Sequence, residues 1–103
     1  MGVIDNFEKM LAEGQDSPLL RFSLGNAYLQ AGDPARAADH LAQALEQDEG
    51  YSAAWKAYGQ ALAELGRKEE AERTYQRGIA VAEGRGDVQA AKEMKVFLKR
   101  LQK

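Results

Sequence analysis

Cysteine is absent from this 103-residue chain, which excludes disulfides, thiolate nucleophiles and thiolate-held metals. Histidine occurs once, at His40, with no companion at a recognisable spacing, so neither a histidine metal site nor a His-based triad is readable. His40 sits between Asp39 and Leu41 on a helical pattern and is expected at the surface. No apolar run approaches the ~20 residues of a membrane span. The N-terminus lacks a basic segment followed by an apolar one, so no signal peptide is read. Asn6 stands where a myristoylation motif takes Ser or Thr. Gly84-Arg85-Gly86 before Asp87 is no phosphate loop, because no strand pattern precedes it and the full glycine spacing is missing. These absences predict a soluble cytoplasmic chain with no cofactor, no metal and no catalysis.

Neither sign of charge dominates. Fourteen Lys and Arg against sixteen Asp and Glu leave a net charge of −2, so no global field favours nucleic acid or a membrane. The distribution is uneven: residues 1–66 hold four basic and ten acidic side chains, residues 67–103 ten basic and six acidic. One small domain is expected, burying roughly 60–70% of the surface its unfolded chain exposes.

What is present is helical periodicity from end to end. Val3, Phe7, Met10 and Leu11 recur at i, i+4, i+7 and i+8, which predicts a helix over 3–13 ended by Gly14. Ser17-Pro18 combines a hydroxyl N-cap with proline at the first helical position, and Asp33-Pro34 repeats the device. Helices are therefore expected over 18–31 and 34–47. Ser52 is the candidate cap of the next, over 53–65, and another follows over 68–83. Gly84 to Asp87 reads as a longer break, with Asp87 capping a last helix over 88–101. That helix carries Ala91, Met94, Leu98 and Leu101 on one stripe and Lys92, Lys95, Lys99 and Lys103 opposite. Gly25 and Gly59 fall inside helices at a cost of about 1 kcal/mol each relative to alanine. Close approach of a neighbouring helix is the expected compensation, with small Ala37, Ala44, Ala71 and Gly78 allowing it.

A shift of 34 residues lays the second half of this pattern on the first. One copy holds Arg21, Leu24, Gly25 and Tyr28 with Ala37 and Leu41; the other holds Trp55, Tyr58, Gly59 and Leu62 with Ala71 and Tyr75. These residues resemble the tetratricopeptide repeat (TPR) family, whose pattern is Trp-x2-Leu-Gly-x2-Tyr, then Ala-x3-Phe, then Pro. Glu49 and Glu83 replace the proline between units, Arg21 takes the slot of a large ring, and the last helix fits only with one or two residues inserted near Gly84. The resemblance implies an all-α right-handed superhelix of about six helices. Its parts would be a half repeat over 1–17, repeats over 18–51 and 52–85, and a capping helix over 86–103, all one domain. Physically, each amphipathic helix buries its stripe only by stacking on the next. Trp55, Tyr58, Tyr28 and Tyr75 accordingly read as core, not as a stacking platform for bases.

In this family, the faces turned from the core line a concave groove that holds peptide. One such face carries Leu19, Phe22, Ser23, Asn26, Leu29 and Gln30; the other carries Ala53, Lys56, Ala57, Gln60, Ala63 and Glu64. There Asn26 and Gln60 would bond peptide backbone, Lys56 would meet a carboxylate, and Phe22 or Leu29 would take an apolar anchor. The competing reading of Phe22 and Leu29 is packing against neighbouring helices. Members that clamp a C-terminal carboxylate use Lys, Asn, Asn, Lys and Arg, where this chain has Phe22, Asn26, Ala57, Asp87 and Ala91. Only Asn26 agrees. The resemblance implies a non-catalytic scaffold or adaptor for a protein or peptide partner. Two alternatives stand beside it. One is a homodimer or larger homo-oligomer joined through the N-terminal edge of Val3, Phe7 and Met10 with Leu19 or Phe22. The other is an anion or RNA binder through the lysine stripe, disfavoured because no aromatics interleave with it.

Overall fold

The computed structural model describes residues 2–103; of the expected segment 1–17, Met1 lies outside the described residues. Among the described residues six helices follow one another: α1 (Val3–Ala12), α2 (Pro18–Gln30), α3 (Pro34–Gln47), α4 (Ser52–Glu64), α5 (Lys68–Gly84) and α6 (Val88–Leu101). No helix among the described residues is long and apolar enough to cross a membrane.

Local chemistry sets most boundaries. The Ser17 and Asp33 side chains accept the amides of Leu20 and Arg36 at 3.1 Å, each ahead of a proline at the first helical position. Asp87 caps α6 in the same way, accepting the Ala90 amide at 3.2 Å. Ser52, expected as a cap, is instead the first residue of α4 and is buried, and the preceding Tyr51 stands at the cap without a side-chain bond. The stops are equally local. At Gly66 (φ +78) the chain turns left-handed and the Arg67 amide reaches back to the Leu62 carbonyl at 2.9 Å. The expected break at Gly84 is shorter than predicted. α5 runs through Gly84, and the left-handed residue is Gly86. The N-caps Ser17 and Tyr51 are therefore 34 residues apart, but Tyr51 and Asp87 are 36 apart, so two residues are inserted before α6.

Consecutive helices pack antiparallel in chain order. In addition α2 touches α4 and α4 touches α6, whereas the backbones of α1, α3 and α5 stay apart. The closer approach along one side bends the stack toward α2, α4 and α6. Leu24, Leu41, Leu62 and Met94 are the large side chains fully enclosed between the layers.

Gly25 and Gly59, inside α2 and α4, explain how the pairs lock. A Cβ on Gly25 would lie 2.4 Å from Leu41 Cγ, and one on Gly59 would lie 2.3 Å from Tyr75 Cε1. Beside the small residues expected to permit the approach, of which Ala37, Ala44 and Ala71 are fully buried, a large side chain of the following helix sits directly on each glycine; Gly78 in α5 takes Met94 and Trp55 in the same way. Burying such a side chain returns roughly 1.5–3 kcal/mol, more than the ~1 kcal/mol of helix propensity lost. With the two-residue insertion, Lys95 occupies this register in α6. It is exposed and paired with Glu83 at 2.8 Å, so α6 lacks the bare backbone that α2 and α4 present at this position.

Gly59→Ala should lower stability by about 1–3 kcal/mol through overpacking, despite the better helix propensity of alanine. Gly84→Ala, where an added Cβ meets nothing within 4 Å, should leave stability unchanged or raise it by up to about 1 kcal/mol. Urea denaturation followed by circular dichroism separates the two outcomes.

Candidate functional site

The inward bend makes the outer stripes of α2, α4 and α6 one continuous surface. On α2, Leu19, Asn26 and Gln30 are exposed, while Phe22, Ser23 and Leu29 are half-buried. Phe22 also packs at a tilt against Tyr51 with ring centroids 5.1 Å apart, and Phe22 and Leu29 both lean on the core. Both therefore do the packing that was weighed against a groove role, and each still shows part of its surface. On α4, Lys56, Gln60 and Ala63 are half-buried and Glu64 is exposed, but Ala57 is buried between helices and drops out of the face.

The third wall of this surface is α6, most of which sequence reasoning missed. Counting from the cap at Asp87 instead of by a strict 34-residue shift puts Gln89 and Glu93, not Asp87 and Ala91, opposite Ala53 and Ala57. Asp87 is the cap itself and Ala91 is buried. Glu93 reaches across to Lys56 at 2.9 Å, and this contact followed by that with Gln89 holds its carboxyl below the usual range. The Asp87 cap was the signal that could have fixed this register. The carboxylate-clamp positions thus read Phe22, Asn26, Ala57, Gln89 and Glu93, with an acid where that clamp has its arginine.

His40 is not at the surface, as its polar neighbour Asp39 suggested. Its ring stacks on Tyr28 (centroids 5.6 Å, planes 2° apart) and its side chain is only 13% exposed. Arg21, in the slot of a large ring, donates to His40 Nδ1 at 3.2 Å and to Asp16 at 2.9 and 3.0 Å. Gln47 donates to the same Asp16 at 2.9 Å, and the Tyr28 hydroxyl donates to Glu8 at 2.6 Å. A polar joint therefore ties α1, α2, α3 and the turn between the first two. Arg21 and then Gln47 pull the Asp16 carboxyl down to about 2. Burial lowers the His40 pKa, opposed by Glu8 and reinforced by Arg21. Among the described residues no group of three or more His, Asp or Glu could hold a metal ion.

A stack of paired helices bent around one continuous inner face defines an α-helical repeat protein. The tetratricopeptide repeat pattern matches residues 28–94, and the chain belongs to that family. It is 50% identical over 99 residues to TPR repeat-containing protein PA0015 of Pseudomonas aeruginosa, a match covering 96% of this chain and 94% of that protein. The solution structure of BPP2914 from Bordetella parapertussis superposes with a TM-score of 0.87 at 41% identity, covering 99% of this chain and 89% of that one. The second TPR domain of human RPAP3, solved in complex with the HSP70 peptide SGPTIEEVD, superposes with a TM-score of 0.73 at 25% identity, covering 89% and 78%. By fold and family the chain is a protein-interaction module.

The Arg21–His40 bond requires an unprotonated Nδ1, which fixes a pH dependence. Because the folded pKa lies below 6.5, the unfolded chain takes up the proton first, and stability should fall as pH drops through 6.5 and on toward the folded value. The Asp16 contribution persists above 3.8 and is lost only toward about 2. NMR titration of the single histidine should give a midpoint below 6.5, and His40→Gln should flatten the melting temperature between pH 7 and 5.

Proposed function

We propose that this chain is a non-catalytic scaffold or adaptor that binds a peptide segment or partner protein on the α2–α4–α6 face. The reading takes 1–17 as a half repeat, 18–51 and 52–85 as full repeats and 86–103 as a cap, working in the cytoplasm. One observation carries it. Asn26, Gln30 and Gln60 line the inner face and make no side-chain hydrogen bond with other described residues, next to an exposed Leu19. Such a row of free amide groups beside apolar surface suits the backbone of an extended peptide, and a preformed face spares the receptor most ordering cost. The RPAP3 domain's peptide complex supports a peptide as the ligand class. The acid at Glu93 argues against a C-terminal carboxylate as the feature recognised.

A partner retained by the natural chain should bind at least about tenfold more weakly to Asn26→Arg with Gln60→Arg, one exposed and one half-buried change, with the helical spectrum left intact. Retention at full strength would move the interface off this face.

Self-association through the N-terminal edge is the second reading, favoured by the state of α1. That helix buries none of its residues fully, packs its backbone only on α2, and leaves Val3 60% and Leu19 65% exposed. Phe7, Met10, Leu19 and Leu20 surround a cavity of about 340 Å³ there. If this edge joins copies, sedimentation equilibrium should show a dimer that Leu19→Asp converts to monomer; a natural chain monomeric at millimolar concentration removes the reading.

A further inference from the structure

The two junctions along the inner face are not equivalent. Between α2 and α4, Leu29 leans into the core and fills the space beneath the face. Thirty-four residues on, the matching position is Ala63, and a recess of about 330 Å³ opens between the C-terminal halves of α4 and α6. Gln60, Ala63, Tyr75, Phe97, Arg100 and Leu101 line it, with Glu64 on its α4 side. Its size lies at the lower end for ligand pockets, enough for one or two side chains.

Tyr75 makes this recess more than a packing defect. Tyr75 as a residue is 2% exposed, and its hydroxyl, which makes no hydrogen bond with another described residue, is not among the enclosed polar atoms and opens onto the recess. Leu41 sits at the corresponding place on Gly25, so the ring alone would have served the packing. Burial, then the nearby charge of Glu64, pushes the phenol up to about 12, so it remains a protonated donor at neutral pH. A hydroxyl that meets only solvent inside the recess is free to donate to an acceptor that an incoming group brings.

Charge at the rim fixes what comes with that group. Glu93 is neutralised by Lys56, whereas Arg100, lying over Phe97 at 6.0 Å, has no ion-pair partner among the described residues. Lys92 and Lys99 on the same helix are exposed and also unpaired. Glu64 is the one acid at the recess and lies on the opposite wall. An acidic ligand group is therefore drawn to the α6 side and repelled from α4.

We propose that this recess anchors one leucine-sized side chain of an internal acidic-apolar peptide segment. The Tyr75 hydroxyl donates to a carbonyl of the segment, and an adjacent Asp or Glu lies against Arg100. The inference rests on the inner face being the binding surface, and it adds the chemistry of the occupant.

The probe is an end-capped heptapeptide, Gly-Gln-Glu-Leu-Glu-Gln-Gly, titrated into isotope-labelled protein and followed by amide chemical shifts. Shifts should centre on Ala63, Tyr75, Phe97 and Arg100. Replacing the peptide leucine by alanine, or both its acids by lysine, should weaken binding about tenfold or more. Ala63→Leu, which restores the residue found at the first junction, should abolish it, and Arg100→Glu should favour the lysine peptide. Tyr75→Phe keeps the ring on Gly59 and should weaken binding roughly three- to tenfold with unchanged melting temperature. Shifts confined to Phe22, Asn26 and Leu29, or binding indifferent to Ala63→Leu, would overturn the pocket while sparing the groove reading. Absence of binding at millimolar peptide also overturns the pocket; the groove reading then stands or falls on the Asn26 and Gln60 variants alone.

Discussion

The seating of a bulky side chain on a bare helix backbone is the contact from which the architecture follows. Leu41 on Gly25 and Tyr75 on Gly59 bring α2 against α3 and α4 against α5 closer than any Cβ would allow. Helices held that tightly in pairs leave a stripe on the other flank, which the next pair must cover. The covering contacts are tighter along α2, α4 and α6 than along α1, α3 and α5, and curvature results. The inner face is thus a by-product of how the pairs lock. The register of α6 departs from that of α2 and α4, because Lys95 presents a solvated, ion-paired amine at the position the glycines hold.

Much of this was legible because its causes are local. Ser17-Pro18, Asp33-Pro34 and Asp87 announce helix starts through side chains that satisfy amides three residues away. The repeat is legible because the lock uses the same residue types at the same spacing twice. Errors arose where the deciding partner sits on another element. His40 looks solvated beside Asp39, and only Tyr28 and Arg21 on α2 reveal that it is packed. The exact end of α5 is not legible because Gly84 and Gly86 are alike in sequence, and only the backbone shows which one turns left-handed. That ambiguity hid Gln89 and Glu93, so the α2 and α4 parts of the candidate face were read but its α6 wall was not.

The inner face combines unequal halves. Its α2 side is uncharged, with Leu19, Asn26 and Gln30 in the open, while its α6 side carries unpaired Lys92, Lys99 and Arg100. Lys56 and Glu93 neutralise each other between them. A peptide lying across such a face meets backbone-directed amides at one end and charge at the other, which gives it a direction as well as an address. If the proposed peptide binding holds, such a face would distinguish partners by the order of apolar and acidic residues, not by composition alone.

The polar joint around Arg21 has a mechanical consequence. Asp16 is held from two sides, by Arg21 of α2 and by Gln47 at the end of α3, so the turn before α2 is fastened to the body of the molecule. α1 beyond it has no fully buried residue, and the bond from Tyr28 to Glu8 is one of its few polar ties. Opening of the chain from this end would therefore stop at the fastened turn, releasing α1 as a unit while the paired helices keep their locks. The joint works as a firebreak, confining the least anchored helix's excursions to the end of the stack farthest from α6.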